Sequence, residues 1–235
     1  MALLDEALDA CGGMERWSGL TRFTLHLSID GDLFARKGRI GDFKDLVAEG
    51  STRSQAVHFT GFTAADRRGS YQPDRVVVES LDGTVFGARE KPRAHFLTHA
   101  GDQAWDDLQF LYFCGVSIWN FVTTPFLLAR PGVAVEELPP ERDDGHIWRR
   151  LRATFPPDIV THAPEQIFYF DETGLQRRAD HQIAGYKAAH YSWAHHKFRP
   201  IVIPTLRRSL AIQSNGNVIQ KPALVDIEIF DAFFE

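Results

Sequence analysis

Cysteine is nearly absent: the chain has two, Cys11 and Cys114. There is no CxxC pair and no Cys/His spacing of a zinc module, so no metal site is expected. Two buried free thiols in a reducing compartment is the simplest account; a disulfide between them is the alternative. Basic runs are also missing. The formal charge is −5 and the pI about 6.1, which gives no phosphate-binding footprint and no expectation of a nucleic-acid partner. The arginine pairs Arg149-Arg150 and Arg207-Arg208 fall in strand-like segments, where neighbours point to opposite faces. Each pair therefore reads as one solvated and one paired arginine. No apolar run is long enough to cross a membrane; the longest, Phe110 to Phe121, is broken by Gly115, Ser117 and Asn120. Asp5, Glu6 and Asp9 interrupt the first residues, so no signal-peptide core is expected and the expected location is cytoplasmic. GxGxxG after a strand, a Walker loop, HExxH and GxSxG are all lacking, which argues against the common cofactor enzymes; no cofactor is expected.

What the chain has in quantity is aromatic rings: 18 Phe, 5 Trp and 5 Tyr. Large rings build cores, and they also line apolar ligand pockets. Hydrophobic residues at 44% and charged residues at 24% are ordinary globular values. With no linker or repeat, residues 1–235 read as a single domain.

Leu4, Leu8 and Cys11 share helical spacing, and Gly12-Gly13 stops that helix at about residues 3–11. Arg22 to Ile29 then alternates as a strand. Asp30-Gly31 predicts a hairpin with a return through Leu33 to Lys37. Further short strands fall within residues 20–90. Residues 94–129 change to a helical, ring-rich insert, with Asp102 as its N-cap and Gly115 as a break. Pro139 to Gly145 reads as a polar loop. Residues 146–231 form a β-meander with turns at Gly185-Tyr186, Arg199-Pro200 and Asn215-Gly216. The fold class is mainly β (α+β): a curled antiparallel sheet, an open half-barrel with helices filling its concave face.

The helix ending in Cys11-Gly12-Gly13, the Glu15-x-Trp17 that follows it, the long strand from Leu20 to Ile29 and the helix-interrupted meander resemble the bacterial lipoprotein-carrier half-barrels, the LolA/LolB-like superfamily. The resemblance implies an open half-barrel whose concave face holds an acyl chain or another apolar ligand. It carries over no catalytic residue, because those carriers are not enzymes.

Histidines cluster late in the chain: His162, His181, His190, His195 and His196. If Gly185-Tyr186 is a two-residue turn, Asp180 faces Tyr191 and His181 faces His190. The Arg199-Pro200 turn then sets Tyr191 opposite Arg208 and His190 opposite Ser209. One row, Asp180–Tyr191–Arg208, shares its face with Trp193, Leu206 and Leu210 and reads as interior. The other, His181–His190–Ser209, reads as a solvated surface.

The leading expectation is binding of an apolar small molecule or lipid, with Tyr112, Trp119, Asn120, Trp193 and Arg208 as ligand-binding candidates beside Tyr191. The alternative is a cofactor-independent cyclase, isomerase or hydrolase, with Asp180, Tyr191, His181 and His190 as acid–base candidates. A third option is an interaction module using an exposed sheet edge or aromatic patch. Nothing in the residues sets an oligomeric state.

Overall fold

The computed structural model describes residues 2–97, 103–143 and 145–235. Among them are thirteen strands: β1 (Arg22–Asp30), β2 (Leu46–Ser51), β3 (Val57–Thr60), β4 (Arg67–Gln72), β5 (Arg75–Ser80), β6 (Val85–Glu90), β7 (Ala134–Asp143), β8 (His146–Thr154), β9 (Glu165–Phe170), β10 (Gln176–Ile183), β11 (Tyr186–Phe198), β12 (Ile201–Ala211) and β13 (Val225–Phe234). They form one antiparallel sheet in the order β6-β5-β4-β3-β2-β1-β13-β12-β11-β10-β9-β8-β7. Strands consecutive along the chain are neighbours in the sheet except β6 and β7, which form its two edges, and at the centre β1 pairs with β13. The chain thus begins and ends mid-sheet. It builds one arm outward from β2 (Leu46–Ser51) to β6 (Val85–Glu90) and the other inward from β7 (Ala134–Asp143) to β12 (Ile201–Ala211). The two outer strands do not pair, so the sheet is curled but not closed into a barrel. Helices α1 (Leu3–Ala10) and α2 (Met14–Ser18) precede β1, and α3 (Asp32–Arg36) follows it. The helical insert joins the two edges: α4 (Pro92–Leu97), α5 (Asp107–Thr123) and a 3-10 turn at Phe126–Ala129.

Helix α5 is the filling. Fourteen of its residues are buried, and it packs on β3 to β6. A helix apolar on every side is one enclosed by other elements. Its start is set by Asp106, whose carboxylate accepts from the Gln109 N–H while Gln109 reaches back to the Asp106 N–H. Asp102, the expected cap, lies outside the described residues. Gly115 does not break the helix. It lets Tyr71 approach: a Cβ there would sit 2.2 Å from Tyr71 Cγ. The ring-rich composition goes into the core, where Phe34, Phe43, Phe59, Phe62 and Phe110 meet edge-on or tilted at 4.9 to 6.3 Å.

Two local expectations are corrected. Asp30-Gly31 is no hairpin: Gly31, at φ 141, leads into a short helix α3 (Asp32–Arg36), while β2 begins only at Leu46. A Cβ on Gly31 would lie 2.4 Å from the Leu224 carbonyl oxygen, so only glycine fits there. The polar loop at Pro139 to Gly145 is mostly strand β7, with an irregular register around Pro139-Pro140. Proline is tolerated there because an outer edge strand leaves one row of groups unpaired.

A third correction governs the candidate site. The turn between β10 (Gln176–Ile183) and β11 (Tyr186–Phe198) is Ala184-Gly185, with φ of 47 and 88. Two positive φ values in a row are what a type I′ hairpin needs. Ile183 therefore pairs with Tyr186, Asp180 with Ala189, Ala179 with His190 and Arg178 with Tyr191. The pairs Tyr191–Arg208 and His190–Ser209 across β11 and β12 occur as expected.

Candidate functional site

The rows are also turned over. His181, His190 and Ser209 lie on the concave face at 7%, 0% and 0% exposure, whereas Trp193 and Leu206 on the opposite face are 41% and 42% exposed. The physical reason is space. Ala179, Ala188, Ser192 and Ser209 are small, and small residues on the inner face make room for the end of α5 and the Phe121 ring.

Asp180, Tyr191, Trp193 and Arg208 thus belong to the outer face. There a cross-strand row runs Arg150–Tyr169–Arg178–Tyr191–Arg208–Asp226. Arg178 lies over the rings of Tyr169 and Tyr191, at 4.8 and 5.5 Å. It donates to both Asp180 oxygens at 2.6 and 2.8 Å, and the Tyr169 hydroxyl donates to Asp180 at 2.9 Å. Burial works against the Arg178 charge, but the bonds from Asp180 outweigh it and raise its pKa. Arg208 pairs with Asp226. Tyr191 stacks with Trp193 at 5.8 Å on the floor of an open groove of about 1020 Å³. The four acid–base candidates therefore do not share a site: Asp180 and Tyr191 face outward, His181 and His190 inward.

Of the other ligand-binding candidates, Tyr112 and Trp119 are core. Tyr112 packs edge-on against Tyr71 at 6.1 Å, and burial pushes its hydroxyl up to about 12. Trp119 is fully buried and donates to the Ser51 carbonyl at 2.9 Å. Asn120 donates to the carbonyls of Val116 and Val160, at 2.7 and 3.2 Å, and lines a cavity.

That cavity lies between α5, the segment 155–164 and the inner faces of β9 to β12. It measures about 20 Å³, room for about one water. Phe121, Leu127, Phe155 and Phe168 supply apolar walls; Asn120, His162, Gln166, Gln176, His181, His190 and Arg207 supply polar ones. Four buried atoms at this one place have no hydrogen-bond partner among the described residues: Asn120 Oδ1, His181 Nδ1, His190 Nε2 and Arg207 Nε. Buried polar groups in native proteins are nearly all paired, so four together mark a site.

Its electrostatics follow from burial. His162 is pushed down to about 3 by burial, with His181 and Arg93 adding to the effect. Burial takes His181 down to about 4 and His190 well below its ordinary value, Arg207 contributing to the latter. All three imidazoles are neutral at pH 7. Ser117 shares a hydrogen bond with His162 Nε2 at 2.8 Å, and Ser209 with His190 Nδ1 at 2.5 Å. Among the described residues, no three His, Cys, Asp or Glu side chains converge as a metal ion would need.

Arg207 is the residue that sequence reasoning missed. It is 4% exposed and donates to the Phe121 carbonyl at 3.0 Å and to Ser192 at 3.4 Å. Among the described residues no carboxylate pairs with it. Burial lowers it to about 9, so it stays charged at neutral pH. Its neighbour Arg208, expected on the interior face, is instead exposed and paired with Asp226, and Arg207 is the inward one of the two. The available signal was parity: Arg207 shares its inward face with Ile201, Ile203 and Ser209.

A second, apolar void of about 10 Å³ is lined by Phe121, Arg207 and, among others, Ile118, Val122, Ile203, Ile227 and Ile229. Phe121 and Arg207 border both voids. The Phe121 ring stacks on His190 at 4.4 Å, with the Arg207 guanidinium 5.0 Å from its centroid.

No family model matches this chain, and neither does any curated protein. Among solved structures, a LolA superfamily protein from Nitrosomonas europaea matches with TM-score 0.50 and 9% identity, over 98% of this chain and 91% of its own. A domain described as outer membrane lipoprotein-sorting, from Vibrio parahaemolyticus, matches with TM-score 0.53 and 7% identity, over 99% and 91%. At such identities the likeness is one of architecture, and on that ground this chain has a LolA-like fold.

Proposed function

We propose that the protein binds an apolar small molecule or lipid against the concave face of its sheet, with the polar end of that ligand in the cavity beside His190 and Arg207. One observation carries the reading: of the seven unpartnered buried side-chain polar atoms among the described residues, four belong to residues lining one cavity, and an apolar void shares two of that cavity's lining residues. Phe121 lines both voids and is only partly buried, so its ring is the group whose movement would admit a ligand. The lipoprotein sorting named for the Vibrio domain stays with that domain; what this chain shares with it is the fold. Two buried free thiols support the cytoplasm as the compartment, which fractionation of cells tests.

The test is native mass spectrometry of the purified protein, then denaturation and extraction, with thermal shifts against apolar metabolites and lipids. A co-purifying apolar molecule, or a rise in Tm with one class of probe, is the expected result. An empty protein whose Tm no apolar probe raises overturns the reading.

A further inference from the structure

We infer that the ligand bears a single carboxylate and that Arg207 is the residue that reads it. This rests on the binding reading above and deepens it. A buried guanidinium without an anion is costly, because its charge has left water and nothing repays the loss. Arg207 presents five N–H donors in a planar fork. Two of its nitrogens are engaged, one of them at 3.4 Å, and Nε has no partner among the described residues. A carboxylate matches such a fork in shape and charge. It also completes the cavity: with Ser209 donating to His190 Nδ1, the His190 Nε2 proton is available to the same carboxylate.

The surroundings select one charge. Arg207 is the only lysine or arginine lining the polar cavity among the described residues, and the three histidines there are neutral. A monoanion is balanced at such a place, whereas a phosphate monoester leaves surplus charge buried. The apolar half is adjacent. Ile118, Val122, Ile203, Ile227 and Ile229 line a void of about 10 Å³ that shares Phe121 and Arg207 with the polar cavity, so an apolar chain enters there only when the Phe121 ring is displaced. The ligand class is an aliphatic or alicyclic monocarboxylic acid.

The experiment compares three probes of one chain length on the whole protein by calorimetry: dodecanoate, 1-dodecanol and dodecyl phosphate. Dodecanoate is expected to bind at least about tenfold tighter than the alcohol, the worth of one charge-assisted contact, and tighter than the phosphate. Arg207→Met is expected to erase that preference while keeping affinity for the alcohol; should the variant not fold, the wild-type comparison decides. Equal binding of acid and alcohol overturns the carboxylate assignment and leaves the apolar-binder reading standing. Tightest binding of the phosphate overturns the monoanion argument. No binding of any probe removes the binder reading, and this inference with it.

Discussion

The ring of Phe121 lies nearly flat on the imidazole of His190, with centroids 4.4 Å apart and planes 24° apart. Phe121 lines both the polar cavity and the apolar void, whereas His190 lines the polar cavity. Phe121→Ala is expected to join them into one cavity and to cost about 3 kcal/mol, as truncation of a packed ring does. Denaturant unfolding measures the cost. The same variant should bind apolar probes more tightly than wild type; unchanged or weaker binding would show that the ring is not what restricts entry.

Gly115 gives a prediction of unusual sign. Glycine to alanine within a helix ordinarily stabilises by about 0.5–1 kcal/mol. Here the new methyl would meet the Tyr71 ring, so Gly115→Ala is expected to destabilise by about 1–3 kcal/mol. A raised Tm would mean that Tyr71 yields easily.

Stability should fall with pH below the ordinary histidine range. His162, His181 and His190 have folded-state values depressed below 6.5, so the unfolded chain binds protons that the folded one refuses. Their contribution is full above about pH 6.5 and is lost as pH falls toward the folded values of about 4 for His181 and about 3 for His162. Urea midpoints at pH 7.5 and pH 5 measure the loss, and His181→Asn should shrink it. Equal midpoints would mean that these imidazoles are not buried neutral.

On the outer face, Asp180→Asn removes the charge that holds Arg178 and accepts from Tyr169. A loss of about 2 kcal/mol is expected, the worth of hydrogen bonds to an ionised group. Because Asp180 faces away from the cavity, affinity for apolar probes should not change. A selective loss of binding with stability intact would return Asp180 to the functional site.

Much of the sheet was legible because strand alternation and turn residues are local signals. The Arg199-Pro200 turn correctly set Tyr191 opposite Arg208 and His190 opposite Ser209. The Gly185-Tyr186 reading failed by one residue, because Ala184 takes the left-handed conformation that a β-carbon ordinarily disfavours, and that shift moved Asp180 from Tyr191 to Ala189. Gly115 looked like a helix stop because its value lies in a contact with Tyr71, far away along the chain.

The sequence by itself determined the class of fold, the helical insert and the division of β11 and β12 into two faces, since period-two alternation is written residue by residue. It did not determine which face is inside. Trp193, Leu206 and Leu210 make the outer face read as core, while alanine and serine make the inner face read as surface. Only the tertiary structure decided it, because an inner face is whichever one the chain covers. Here α5 and Phe121 cover the small residues, and Arg207 is buried with them. A strand's own pattern records what its side chains are, but not what will be packed against them.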